Sequence, residues 1–254
     1  MNVLILAAGY ATRLYPLTLT QPKSLLPVAG KPMVEHVLDN IEPINGIDRV
    51  YVVTNAKFAK PFQQWADNYR ATKSNLEFTV VNDGSTNEAD KLGAIGDLHF
   101  VLTREKVDDD LLVVAADNLF SESLAGFGDF CRRKNTPVLG VYDVGNLEKV
   151  KQFNSLSIDG KGRITHFEEK PKQPTSTLTG IALYYYPKAT LPLIRQYIAE
   201  GNNPDQPGRL VQWLYPRTHV YTWVVPGIWF DIGSRESLAE ANKIFSGQMT
   251  PGIR

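Results

Sequence analysis

The chain has 254 residues, enough to bury a full core, and a single domain is expected. Lysine plus arginine and aspartate plus glutamate both total 27, so no net positive field favours nucleic acid or anionic lipid, and any phosphate site must be local. Cys131 is the sole cysteine, which excludes an intramolecular disulfide; residues 1–9 lack a signal-peptide pattern and no stretch has membrane-spanning length, so a cytoplasmic location is expected.

In chain order, residues 3–8, 50–53 and 111–116 are short continuous apolar runs bounded by turn residues, the pattern of parallel strands buried on both faces. Between them, Val34, Val37, Leu38 and Ile41 recur at helical spacing, with Pro32 suited to a first helical position. Residues 58–70 and 92–107 read as further amphipathic helices, so the first half alternates strand and helix as in a doubly wound α/β sheet. Residues 156–158 and 164–167 flank the turn Asp159-Gly160-Lys161-Gly162-Arg163 and predict an antiparallel hairpin. Strands are expected at 178–186 and 220–225, and helices at 189–200 and 235–245, the last opened by Ser234 as N-cap. His36, His99, His166 and His219 show no metal-ligand spacing, and Tyr184-Tyr185-Tyr186 alternates faces in a strand, which suits core packing better than a base platform.

The segment Leu6-Ala7-Ala8-Gly9-Tyr10-Ala11-Thr12-Arg13-Leu14 leaves the carboxyl end of the first strand, where open α/β sheets bind ligands. Small residues at Ala8 and Gly9 let backbone N–H groups approach phosphate oxygens, and Arg13 and Lys23 supply charge, although a strand-to-helix turn can need glycine for geometry alone. Asp117 closes the apolar run 111–116 and Asp231 follows Trp229-Phe230; each suits a hard cation, and each taken singly is better explained as an ordinary turn or helix-start residue. Glu169-Lys170 ahead of Pro171 would by itself be a solvated turn.

Four blocks in order resemble the sugar-1-phosphate nucleotidylyltransferases of the glucose-1-phosphate thymidylyltransferase and uridylyltransferase kind. They are Leu6–Thr18 followed by Pro22-Lys23-Ser24-Leu25-Leu26-Pro27, then Ala116-Asp117-Asn118-Leu119-Phe120, Glu168-Glu169-Lys170-Pro171, and Trp229-Phe230-Asp231-Ile232-Gly233-Ser234. The resemblance implies an α/β, Rossmann-like fold with a mixed, mostly parallel sheet and a small antiparallel sugar-binding lobe, residues 1–120 serving the nucleotide and 121–254 the sugar phosphate. It implies Mg²⁺ on Asp117 and Asp231, catalytic roles for Arg13, Lys23, Asp117, Lys170 and Asp231, and nucleotide contacts from Leu6, Ala8, Gly9, Asn82 and Gly93. Sugar contacts are implied for Asn154, Glu169, Lys170, Thr179 and Gly180. The implied partners are a nucleoside triphosphate and a sugar 1-phosphate, with assembly into a homo-oligomer also expected.

Within the same resemblance the rivals are a CTP-dependent enzyme for a non-sugar phosphate such as phosphocholine, and a catalytically silent subunit. Ala11 stands where many relatives carry glycine, the loop 82–90 lacks a base-reading glutamine, and Asn203-Pro204-Asp205-Gln206-Pro207-Gly208-Arg209-Leu210 replaces a G-E-L-E-I-T-D block, so base and sugar stay open. Only 246–254 follow Phe245, so the expectation is a short form without a carboxyl-terminal β-helix.

Overall fold

The protein, seen in a computed structural model, is described at residues 1–72 and 76–248; the tail on which a short form was expected lies largely outside the described residues. The elements run β1 (Asn2–Leu6), β2 (Pro27–Val28), β3 (Lys31–Pro32), α1 (Met33–Ile41), β4 (Arg49–Thr54), α2 (Ala59–Thr72) and β5 (Glu77–Asn82). They continue with α3 (Ala94–Arg104), β6 (Leu111–Ala115), β7 (Asn118–Phe120), α4 (Ala125–Lys134), β8 (Val138–Asp143), α5 (Leu147–Val150), β9 (Asn154–Ile158) and β10 (Ile164–Glu169). The last are β11 (Leu178–Tyr186), α6 (Leu191–Ala199), α7 (Pro207–Leu214), β12 (Tyr221–Val224), β13 (Trp229–Asp231) and α8 (Arg235–Phe245).

The chain divides into two compact units: one holds Met1–Leu92, Val114–Ala125 and the stretch from Pro226 onward, the other Gly93–Val113 and Gly126–Val225. The strands are mostly parallel, ordered β1-β4-β5 in the first unit and β12-β8-β11 in the second, and β6 contributes 111–113 to the second unit and 114–115 to the first. In the first unit β1 and β5 both pair parallel with β4, and Val3, Leu4, Val50, Val52 and Val53 are fully buried, as strands covered on both faces require. A satellite core of Leu14, Leu26, Val28, Met33, Leu119, Ile232 and Ala241 gathers the loops after β1, β6 and β13.

In the second unit β8 pairs antiparallel with β11 and parallel with β12, and β9 with β10 forms the anticipated hairpin, bulged between Ile164 and His166. Tyr184, Tyr185 and Tyr186 are all buried: the rings of Tyr184 and Tyr186 stack 6.0 Å apart, and the Tyr185 hydroxyl donates to Asp110 across 2.6 Å. Cys131 is buried in α4.

The periodic segments emerge where expected, β11 and α8 residue for residue, with the Ser234 hydroxyl accepting from the Ser237 N–H. Pro32 differs: it precedes the helix in extended conformation (φ −51°, ψ 140°) and pairs with Pro27 in the β2–β3 hairpin. Helix α7 arises inside a segment rich in Pro, Gly and Asn where no element is expected from the sequence. Its stripe of Leu210, Val211 and Leu214 is too short to show a period but is fully used in burial. Among the described residues no helix is long and apolar enough to cross a membrane.

Candidate active site

The first unit places Leu6, Ala8, Gly9, Arg13, Lys23, Asn82, Asp117 and Asp231, and the second places Gly93, Asn154, Glu169, Lys170, Thr179 and Gly180. The loop after β1 is held by side chains from elsewhere. The fully buried Asn55 donates to the Ala8 carbonyl (2.9 Å), and Thr18, also fully buried, donates to the Ala11 carbonyl (2.8 Å). Gly9 has open space where a Cβ would stand, leaving the backbone bare. Arg13 is exposed on the short 3-10 turn Thr12–Leu14.

Ala11, at the position where glycine is the commoner choice, adopts the left-handed conformation (φ 50°, ψ 45°). Left-handed backbone costs an L-residue about 1–2 kcal/mol, partly offset in a glycine variant by that residue's larger entropy loss on folding. Ala11→Gly is therefore expected to raise the thermal midpoint by about 2 °C. A lower midpoint in calorimetry would show that the turn is not strained.

Asp117 occupies the turn between β6 and β7, and Asp231 ends β13. The two strands pair antiparallel with Asp231 opposite Asn118, and the Ile232 N–H donates to the Asp117 carbonyl (3.2 Å). Two three-residue strands thus bring together carboxylates from distant parts of the chain. Lys23 sits 2.5 Å from Asp117 Oδ2, with the two side chains 15% and 28% exposed.

The other Asp117 oxygen accepts from the Asn118 amide (3.0 Å), whose own oxygen accepts from the Trp229 indole N–H (2.7 Å). This Trp229–Asn118–Asp117 chain orients the carboxylate and is a role that sequence reasoning missed. The Trp and Asn of the two blocks were visible, but not that they meet.

Burial works to raise the Asp117 carboxyl, yet Lys23 and the Asn118 hydrogen bond hold it below its ordinary value. Asp231 lies the other way: burial, then the Asp117 charge, pushes it up to about 6 against the attraction of Lys23 and Arg13. Asp231 is not needed to start α8, since Ser234 and Ser237 already form a capping box there. With Lys23 paired to Asp117, the two carboxylates leave one negative charge uncompensated when both are ionised, and their hard oxygen donors fit a divalent cation.

The loop after β5 is folded on itself. Asn82 accepts from the Gly84 N–H, Asp83 from the Ser85 N–H and hydroxyl, and Asp90 from Thr86 and Asn87.

In the second unit Gly93 (φ 80°) opens α3 against another segment: a Cβ there would stand 2.7 Å from Asp205 Cα and the Pro204 carbonyl oxygen. Those two residues accept the first N–H groups of α3. Close backbone packing therefore accounts for the glycine.

Gly180 is similarly enclosed, its absent Cβ 2.6 Å from a Leu139 methyl. The Asn154 side chain bridges both backbone groups of Gly180, accepting from its N–H (2.6 Å) and donating to its carbonyl (2.9 Å), and Thr179 donates to the Asn154 carbonyl (2.8 Å). These residues tie β9 to β11.

Glu169, at the end of β10, is pushed up to about 7 by burial, against the pull of Lys170 and Arg209, and its Oε2 is buried without a hydrogen-bond partner. Lys170 is exposed, in the left-handed conformation (φ 50°), its N–H donating to the Phe153 carbonyl (2.8 Å). A non-glycine residue held there marks a constrained position next to the unpaired carboxyl.

Comparison with known proteins finds the family described as Nucleotidyl transferase matching residues 2–247. A bifunctional protein GlmU of Methanocaldococcus jannaschii is 27% identical over 255 residues, covering 100% of this chain and 56% of its own length. The low-salt glycan biosynthesis nucleotidyltransferase Agl11 of Haloferax volcanii is 27% identical over 247 residues, covering 96% and 66%. The chain thus spans a little over half to two thirds of the length of these curated relatives. A solved UDP-glucose pyrophosphorylase complexed with UDP-glucose shares the fold, with TM-score 0.82, 21% identity, and coverage of 98% of this chain and 99% of its own.

Proposed function

This chain belongs to the Nucleotidyl transferase family, and from that premise we propose that it joins a nucleoside triphosphate to a sugar 1-phosphate, releasing pyrophosphate. The observation that carries the reading is the Asp117–Asp231 pair with Lys23 on one member, beside a loop that presents bare backbone at Gly9. Such an arrangement gathers phosphate oxygens and neutralises charge as it moves. Support for a sugar as the second substrate comes from Glu169 and Lys170, an unpaired carboxyl for hydroxyl donors next to an exposed ammonium for phosphate.

In the proposed reaction a phosphate oxygen of the sugar 1-phosphate attacks the α-phosphorus in line and pyrophosphate departs opposite, with no covalent enzyme intermediate. Arg13 stabilises the pyrophosphate end, Lys23 the α-phosphate, and Lys170 the incoming phosphate. Asp117 and Asp231 would hold Mg²⁺, which supplies charge neutralisation at the phosphate oxygens when bound. Asn118 and Trp229 keep the Asp117 carboxylate turned into the site. Lys23, paired with Asp117, is an ammonium that a triphosphate can recruit. A cytosolic enzyme, acting on small anionic substrates as a homo-oligomer, is part of the same proposal.

The test is pyrophosphate release with Mg²⁺, crossing the common nucleoside triphosphates with hexose 1-phosphates and with phosphocholine. Release that requires both a triphosphate and a sugar 1-phosphate is the expected result. Release with phosphocholine alone would move the protein to the non-sugar branch. If no pair reacts while a triphosphate still raises the thermal midpoint, the chain is a binding subunit.

A further inference from the structure

Helix α7 occupies the segment where the chain departs from the G-E-L-E-I-T-D pattern, and Gly208 lies buried in its first turn. Glycine inside a helix costs about 0.5–1 kcal/mol relative to alanine, and no left-handed φ calls for it here. Space does call for it. A methyl group at this position would overlap Glu169 Oε2 outright, stand 2.9 Å from the Glu169 carboxyl carbon and touch the Phe167 ring at 3.4 Å.

On the other side, the Glu169 N–H donates to the Gln212 side chain (3.1 Å), one turn further along α7, so this helix fixes the strand end as well. The carboxyl is thus laid against bare backbone, with Oε2 out of water and unpartnered. The charged or titratable groups that bear on it are Lys170, Arg209 and Tyr184.

We propose that Gly208 is a positioning residue of the sugar-phosphate pocket: its missing side chain lets the Glu169 carboxyl lie with Oε2 sealed against bare backbone, which fixes the orientation in which the carboxyl meets the hydroxyl donors of the substrate. This rests on the sugar 1-phosphate reading above. A carboxyl pinned in one orientation meets a substrate hydroxyl without the ordering that a mobile side chain must undergo, and it loses that advantage when it is pushed out into water.

The experiment compares the wild type, Gly208→Ala, and Gly208→Ala combined with Glu169→Asp, whose shorter acid leaves room for the new methyl. Three readouts are taken: KM for glucose 1-phosphate or the best hexose 1-phosphate of the panel, KM for the triphosphate, and the pH titration of the ¹³C-labelled Glu169 carboxyl without ligand. Gly208→Ala is expected to raise the sugar-phosphate KM about 10-fold or more, the equivalent of one lost charge-assisted hydrogen bond, with the triphosphate KM unchanged. The Glu169 titration should fall from about 7 towards the ordinary carboxylate range as the group is pushed into water, and the double variant should recover part of the sugar-phosphate KM.

Helix propensity alone predicts the opposite, a higher midpoint and untouched kinetics. That outcome, or an equal rise in both KM values, overturns the proposal. A titration that moves in the variant, while the wild type turns over no sugar 1-phosphate, keeps the seating of Glu169 and overturns the ligand assigned to it.

Discussion

Asp117→Asn and Asp231→Asn are each expected to lower turnover by about 10²-fold or more, the scale for loss of a metal contact, while moving stability in opposite directions. Asp117 is ionised beside Lys23, and its folded value lies below the ordinary one. Its stabilisation is therefore present above the unfolded value near 4 and is lost as pH falls through the folded value. At pH 8 Asp117→Asn removes that contribution and strands the partly buried Lys23, costing about 1–2 kcal/mol.

Asp231 has the reverse sign. Its folded value, about 6, exceeds the unfolded one, so the folded state is favoured by the proton and penalised as pH rises from about 4 to 6, by about 3 kcal/mol once fully ionised. Asp231→Asn is neutral at every pH. Without added metal at pH 8 it should melt above the wild type, and the gap should close towards pH 4. Measuring turnover and melting of both variants at the two pH values checks this. Near-normal turnover in both would remove the two-carboxylate reading, and a destabilised Asp231→Asn at pH 8 would show that the charges are not in conflict.

Lys170→Ala should weaken sugar 1-phosphate binding by about 10- to 100-fold, the worth of a charge-assisted contact to phosphate, and leave triphosphate affinity nearly unchanged. The side chain is exposed, and alanine inherits the same left-handed backbone, so the midpoint of unfolding should barely move. Calorimetric titration of each ligand decides the matter: a variant that loses triphosphate affinity and keeps sugar phosphate would place Lys170 with the wrong substrate. Lys170→Arg offers a further contrast, since the longer planar guanidinium keeps the charge while changing its reach.

Strand β11 and helix α8 could be read from the chain alone because neighbours a few positions apart decide them: an apolar run bounded by turns in one, a serine cap and a helical stripe in the other. The same holds for the hairpin of β9 and β10, whose turn is written in Asp159-Gly160-Lys161-Gly162. The charged candidates were visible as residue types at strand ends, and it was the resemblance of the four blocks in order to the nucleotidylyltransferases that implied phosphate chemistry.

What only the tertiary structure decided is which of them meet. β7 and β13 are three residues each, too short for any period, and their pairing is chosen by backbone hydrogen bonds and by the burial of Leu119 and Ile232 in one small core. That pairing puts Asp231 under the field of Asp117, joins Asn118 to Trp229, and makes one carboxyl reluctant to ionise. Likewise the glycines at 93, 180 and 208 look alike in the chain, but the first two make room for backbone or a core methyl and the third for a carboxyl. Volume exclusion between segments far apart in the chain assigns these roles, and no local pattern of residue types encodes it.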